Sequence, residues 1–325
     1  MMNHISKNQA VSIRPGTVIT GKWHKKDYQI IKELGYGALG TVYLADSLTG
    51  PVAVKFGHDS MAITSEVNVL KHFSKVQGQA LGPSLIEMDD WMNGIKTVPF
   101  YVMEYIKGEP LFRFLSRRGT EWLGILMIQL LKDLENLHHA GWVFGDLKPD
   151  NVLVAGPPPK IRLLDVGGTT LIGRSIKEYT EFFDRGYWGL GDRKAEASYD
   201  LFAVAMVMIN AAYPQRFEKR SSDPYANLKK AIEQKDLLLP YRNVMLNALK
   251  GTYQSAGEMR EDLVGSLYKD NKKKKAVQTN QHAVTSRTVR KKNLKQKRSK
   301  KYSILETIVL FTFLLAVYVI YLFGQ

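Results

Sequence analysis

One stretch restricts the fold more than any other: GDLKPDNVLVAGPPPKIRLLDVGG, residues 145–168. Asp146 and Asn151 stand at its start, and Asp165 follows fourteen residues after Asn151. Between them run VLVA and KIRLL, two short β-prone arms around a Gly-Pro-Pro-Pro break, the pattern of a hairpin. A hairpin returns the chain to where it began. Asn151 and Asp165, at its two ends, are therefore predicted neighbours, with Asp146 beside them. A fold for this chain has to bring these three side chains together.

The sequence ahead of this hairpin is β-rich. Tyr28 to Phe56 alternates Val, Ile, Leu and Tyr with polar residues and is broken by glycines, which predicts three strands. Within it, LGYGALGTVYLA (34–45) carries Gly35, Gly37 and Gly40, with Val42 on the strand that follows. Glycines let a backbone approach phosphates closely. A strand rather than a helix follows, which separates this pattern from a dinucleotide-binding turn. Alone, it is equally an ordinary Gly-rich hairpin. VAVKF (52–56) sets Lys55 in an apolar strand, where an ammonium needs a partner unless it reaches solvent at an edge. Ile63, Val67, Leu70 and Phe73 recur at helical spacing, with Asp59 or Ser60 as N-cap, and Glu66 lies on this helix. VPFYVMEY (98–105) reads as a strand. Leu123, Leu126, Met127, Leu130, Leu134 and Leu137 form a helical stripe, and the nine apolar residues Leu201–Ile209 predict a helix buried all round. Residues 1–27 read as a polar lead-in without a signal peptide. Strands first and helices later indicate an α+β protein with a sheet-rich small lobe and a helical large lobe.

Taken in order, Gly35-x-Gly37-x-x-Gly40-x-Val42, Lys55, Glu66, Asp146-x-Lys148-x-x-Asn151 and Asp165 make residues 28–268 resemble a Hanks-type, eukaryotic-like serine/threonine protein kinase. With its C-terminal segments the chain is similar to the membrane-anchored kinases of endospore-forming bacteria, which implies a link to spore formation. The resemblance implies a bilobal fold. It implies transfer of the ATP γ-phosphate to Ser/Thr hydroxyls of protein substrates, with trans-autophosphorylation of self-associated chains, using Mg2+ or alternatively Mn2+. By the same resemblance Asp146 accepts the hydroxyl proton and Lys148 neutralises the transferred phosphoryl. Asn151 and Asp165 hold the metal, and Lys55 pairs with ATP phosphates and with Glu66. Lys148 implies Ser/Thr rather than Tyr specificity. The backbone from Glu104 to Ile106 would hold the adenine, with Met103 as gatekeeper and Val42, Ala53 and Leu153 around the ring. Glu109 is a candidate ribose contact.

The chain departs from the family at several points. Phe144-Gly145 replaces His-Arg before Asp146. The arginine normally binds a phosphate on the activation loop, so phosphorylation of Thr169, Thr170, Ser175 or Thr180 is expected not to be obligatory. Phe144 grew where Val166 shrank, so the volume of the stack they share is roughly kept. Gly186-Tyr187-Trp188 stands where the family has Ala-Pro-Glu. The arginine that pairs with that Glu is missing from 250–259, Arg260 falling just beyond, so no buried charge is stranded. Substrate sequence preference is therefore not transferable.

Charge is concentrated beyond this body. The chain carries +15, of which residues 269–301 supply +13, from 14 Lys/Arg against Asp270 alone. With no aromatic residue for base stacking, this linker is expected to bind phosphates without sequence specificity, as DNA or as anionic lipid. Tyr302–Phe323 is 22 residues, about 33 Å as a helix, and reads as a single-pass membrane anchor over 302–325. The basic flank sets the kinase domain on the cytoplasmic side of the cell membrane. Absence of cysteine excludes disulfides, thiolate metal sites and cysteine nucleophiles. Two other classes fit: a pseudokinase scaffold, or a membrane-tethered DNA-binding protein whose kinase fold serves only assembly.

Overall fold

The computed structural model describes residues 12–37, 40–73, 82–219 and 223–269. The small lobe is a six-stranded antiparallel sheet in the order β1-β2-β3-β4-β6-β5. Its strands are β1 (Val18–Thr20), β2 (Asp27–Gly37), β3 (Gly40–Ser47), β4 (Gly50–Gly57), β5 (Leu85–Asn93) and β6 (Lys96–Glu104). The three strands anticipated between Tyr28 and Phe56 are β2, β3 and β4. Helix α1 (Ser60–Phe73) follows β4 after two residues. Asp59 supplies its cap, accepting from Ala62 N at 3.0 Å. Such a cap contributes about 1 kcal/mol.

The large lobe begins with β7 (Gly108–Pro110), α2 (Leu111–Arg118) and α3 (Trp122–His139). Leu123, Leu126, Met127, Leu130, Leu134 and Leu137 of α3 are fully buried, each stabilising by about 2 kcal/mol. After β8 (Trp142–Val143) comes the hairpin β9 (Val152–Ala155) and β10 (Lys160–Leu163), then β11 (Thr170–Leu171), which pairs with β8. Helices α4 (Arg185–Trp188), α5 (Ala197–Ala212), α6 (Pro224–Glu233) and α7 (Arg242–Lys250) complete the lobe, with residues 256–269 also helical. Every residue of α5 from Tyr199 to Asn210 is buried, as its apolar run anticipates.

The lead-in over 1–27 is corrected by the structure. Within it Val18–Thr20 form β1, which pairs with β2, and Ile13 and Ile19 are buried. Strand β5, which no alternation announced, explains why. Its buried acids find their partners in that segment. Asp89 accepts from Trp23 N at 2.9 Å and His24 N at 2.8 Å. Glu87 accepts from Tyr28 Oη at 2.6 Å and pairs with Lys26. LIEMDDWMN reads as polar because half of its inward face is carboxylate, and each carboxylate is satisfied by a stretch that itself reads as a tail.

The basic linker over 269–301 and the span over 302–325 lie outside the described residues, apart from Lys269. Among the described residues no helix is long and apolar enough to cross a membrane.

Asp133 on α3 lies near Lys160 and Arg162 of β10. Burial pushes its carboxyl up to about 6, against the pull of Lys160, Lys132 and Arg162. A raised carboxyl disfavours the folded state once it must ionise. The penalty grows as pH rises from 3.8 towards about 6 and is complete above it. Asp133→Asn is therefore expected to raise Tm at about pH 7.5, with the gain shrinking as pH falls to about 5, checked by thermal melts across that range.

Candidate active site

The β9–β10 hairpin does what its spacing requires. Leu163 pairs with Val152, and Leu164 N donates to Asn151 O at 3.0 Å, closing the ladder beside Asp165. A 3-10 turn (Pro149–Asn151) leads into β9 and buries Asn151. Its Nδ2 donates to Asp146 O at 2.9 Å. Asp146 faces Lys148, whose Nζ lies 2.5 Å from Oδ2. Thr180 Oγ1 donates to Asp146 Oδ1 at 3.1 Å and accepts from Lys148 Nζ at 3.3 Å.

The small lobe meets this cluster through Lys55. Lys55 of β4 stands opposite Tyr101 of β6 in register. Its Nζ lies 2.7 Å from Glu66 Oε2 and 3.6 Å from Asp165 Oδ1. Burial opposes the ammonium, yet Asp165 and Glu66 together outweigh it and hold the Lys55 pKa above its ordinary value. Tyr101 Oη donates to the same Glu66 oxygen at 2.7 Å. Glu66 Oε1 is buried with no partner among the described residues. Gly35 and Gly37 on β2, and Gly40 on β3, flank the loop tip, whose Ala38 and Leu39 lie outside the described residues. Gly40 has φ +152, and a Cβ there would lie 2.0 Å from Phe56 O. Only glycine lets β3 start so close to β4.

The oxygens near Asp146 fit a hard divalent cation. Asn151 has committed its amide nitrogen, and among the described residues no donor engages its Oδ1. Asp165 Oδ1 accepts from Gly167 N at 3.0 Å, and no such donor engages Oδ2. A carboxylate and an amide oxygen at the two ends of one hairpin are the ligand type that Mg2+ and Mn2+ take.

The anticipated purine pocket is spread over four strands and a connector. Val42 lies beside Lys55 in register, Ala53 beside Met103, and Leu153 faces Pro110. Glu104 N donates to Ser84 O at 2.9 Å, while Ile106 N has no backbone acceptor among the described residues. The Glu104 side chain turns away to Arg162, at 3.1 and 2.8 Å. Burial pushes the Glu104 carboxyl up, but the Arg162 bonds prevail and hold it low. Glu109, the expected ribose contact, is engaged at Oε1 by Arg117 at 2.9 Å and Arg113 at 3.6 Å.

Three residues at this site carry no signal in the spacing of motifs. Thr180 reads only as a candidate phosphate acceptor. Tyr101 becomes visible once β4 and β6 are known to pair. Glu178 is half-buried in the same cleft. Burial, then the charges of Asp165 and Asp146, push its carboxyl up, with Lys55 pulling the other way.

The departures before Asp146 have a backbone cause. Gly145 has φ +83, and a Cβ there would lie 2.6 Å from Gly168 O. Phe144 N and Gly145 N both donate to the buried Asp200, at 2.8 and 3.0 Å, and His138 Nε2 lies 2.9 Å from it. Phe144 and Val166 are buried in one core cluster. Of the four hydroxyls named as phosphate acceptors, Thr169 and Thr170 are buried, Thr180 is engaged, and Ser175 is exposed. Gly186-Tyr187-Trp188 forms most of α4, and Arg260 pairs with Glu135 of α3 at 3.0 Å. The segment is not merely emptied of charge, however: Asp184 and Arg185 are both buried in it.

A bilobal α+β body with an ion-paired strand lysine and a hairpin-borne Asp-Asn-Asp cluster is that of a protein kinase, and the protein kinase domain family matches residues 28–303. The chain belongs to that family. It is 47% identical to the serine/threonine-protein kinase YabT of Bacillus subtilis (strain 168), over 99% of this chain and 98% of that protein. It is 32% identical to a putative cyclin-dependent kinase F-2 of Oryza sativa subsp. japonica, over 56% of this chain and 60% of that one. With Pkn1 of Myxococcus xanthus the identity is 28% over 43% of this chain and 21% of that protein. The protein is an ATP-dependent serine/threonine protein kinase.

Restoring the family's arginine is expected to harm this enzyme. Gly145→Ala and Gly145→Arg should both lower Tm by several degrees and reduce phosphotransfer, because any Cβ strains a left-handed backbone against Gly168. Thermal melts and initial rates check both.

Proposed function

We propose that this kinase is anchored in a membrane by residues 302–325, works on the cytoplasmic side, and is stimulated when a polyanion binds residues 269–301. The contact that supports its catalytic assignments best is Thr180 and Lys148 both on Asp146, with Lys55 between Glu66 and Asp165. Asp146 aims the substrate hydroxyl and accepts its proton. Lys148 lies on that carboxylate and offers its charge to the transferred phosphoryl. Lys55, kept protonated by Asp165 and Glu66, draws the ATP phosphates into line. Gly35, Gly37 and Gly40 cover them with backbone. Glu104 O and Ile106 N offer the adenine one acceptor and one donor. Asn151 and Asp165 would hold Mg2+ or Mn2+, which supplies charge neutralisation on the phosphates when bound.

The scaffold reading requires this cluster to be idle, and an idle cluster has no need of a buried Lys55–Glu66 pair that costs desolvation. Polyanion stimulation rests on charge: +13 over 33 residues beside a nearly neutral body. DNA is the polyanion we favour, with anionic lipid as its competitor next to the membrane. Chains gathered on one polyanion are placed to phosphorylate one another.

The test uses the full chain in neutral detergent micelles with labelled ATP and Mg2+, beside Asp146→Asn. Arms with double-stranded DNA and with anionic vesicles separate the two polyanions. Labelling should depend on Asp146 and rise with DNA. The rise should fall steeply between about 50 and 200 mM salt and vanish when the lysines and arginines of 269–301 are replaced by serine. No Asp146-dependent label in any arm would sink the enzymatic assignments. Label indifferent to DNA would sink the stimulation alone.

A further inference from the structure

The loss of an arginine before Asp146 leaves open what holds the segment between Asp165 and α4 in place. That segment is tied along its backbone to residues 193–195. Gly173 N donates to Ala195 O at 2.8 Å, Ala195 N to Arg174 O at 2.7 Å, and Ile176 N to Arg193 O at 2.8 Å. Ile176 is buried with Val143, Ala195 and Tyr199.

Side chains of the same loop add a second tie. Arg193 Nε and a terminal nitrogen lie 2.8 and 2.7 Å from one oxygen of Asp184. Asp184 is fully buried, and Tyr199 Oη also donates to it at 2.9 Å. The Arg193 guanidinium sits 4.0 Å from the centroid of the Tyr179 ring. Arg193 thus grips Tyr179, one residue before Thr180, and Asp184, four residues after it. Thr180 itself holds Asp146 at 3.1 Å. The loop bearing Arg193 is braced in turn by buried Arg185, which reaches Asp192 at 2.9 Å, Glu196 at 2.7 Å and Ser198 at 2.7 Å.

We infer that Arg193 is a positioning residue for phosphotransfer: by binding the resident carboxylate of Asp184 and the ring of Tyr179, it fixes Thr180 against Asp146 without any phosphate on the segment. An arginine that binds a phosphate makes the active arrangement conditional on modification. An arginine that binds an aspartate of the same chain makes it permanent. The inference rests on Asp146 as the hydroxyl acceptor, and the two fail differently. Asp146→Asn retaining activity sinks that assignment, whereas the Arg193 variants leave it standing.

Arg193→Met strands the buried Asp184 charge and destabilises the protein whatever else it does. The deciding variant is therefore Arg193→Met with Asp184→Asn, which removes both charges and keeps an acceptor for Tyr199 and Gly186 N, losing only the bond from Tyr187 N. In the full chain it should be more stable to heat than Arg193→Met alone but keep kcat about ten- to a hundredfold below wild type, with the KM for ATP unchanged. Arg193→Lys retains the charge but loses the two-nitrogen grip, and should give an intermediate kcat at wild-type Tm. Wild-type kcat in a folded double variant would overturn the inference. If the double variant does not fold, wild-type kcat in Arg193→Lys overturns it. The phosphatase-treated wild type and Ser175→Ala should keep full initial rates, and loss of activity in either would mean that a phosphate is needed after all.

Discussion

Asp200 is a carboxylate with no access to water, and the catalytic loop hangs from it. Its oxygens collect the N–H groups of Phe144 and Gly145 and the ring of His138. Hydrogen bonds to a buried charge are stronger than neutral ones, and leaving that charge short of donors would cost several kcal/mol. These bonds hold the loop in a conformation in which Gly145 is left-handed, at φ +83, with no room for a Cβ beside Gly168 O. Asp146 follows immediately, so its position is set by α5 at the centre of the large lobe.

Around that fixed point the cleft is unevenly charged. Glu66, Asp146, Asp165 and Glu178 face two lysines, Lys55 and Lys148. The excess of carboxylate is unfavourable in a poorly solvated cleft, and the phosphates of ATP would add to it. A divalent cation held by Asn151 and Asp165 would offset that excess, and nucleotide binding would then be electrostatically coupled to the metal. The Lys55–Glu66 pair carries this coupling into the small lobe, because Glu66 sits on α1 and is braced by Tyr101.

Much of the site was legible in the sequence, because its residues lie at the ends of strong local patterns. The hairpin between Asn151 and Asp165, the apolar strand around Lys55 and the capped helix around Glu66 each announce themselves within a short local stretch. What was not legible depends on long-range pairing. Tyr101 needs β4 beside β6. Thr180 and Glu178 need the segment after Asp165 to fold back over Asp146, and Arg193 needs Asp184 to be buried. Strand β5 hid for a different reason. Its inward acids break the apolar alternation, and their partners, Trp23 to Tyr28, lie 59 to 66 residues away. The missing arginine was visible, but its cause was not, since only the φ of Gly145 shows that no side chain fits there.

The same partnership between the first residues and β5 has a geometric result. Strand β1 lies at one end of the sheet order and β5 at the other, yet Gly21 bridges to Trp91 and Lys22 N donates to Asp90 O at 2.7 Å. The sheet is sewn to itself along this seam, so neither outer strand offers a row of unpaired amides there. Open strand edges are where β-proteins stick to one another. A fragment begun at Tyr28, where the family match starts, would unpick the seam and uncover two buried acids along with it.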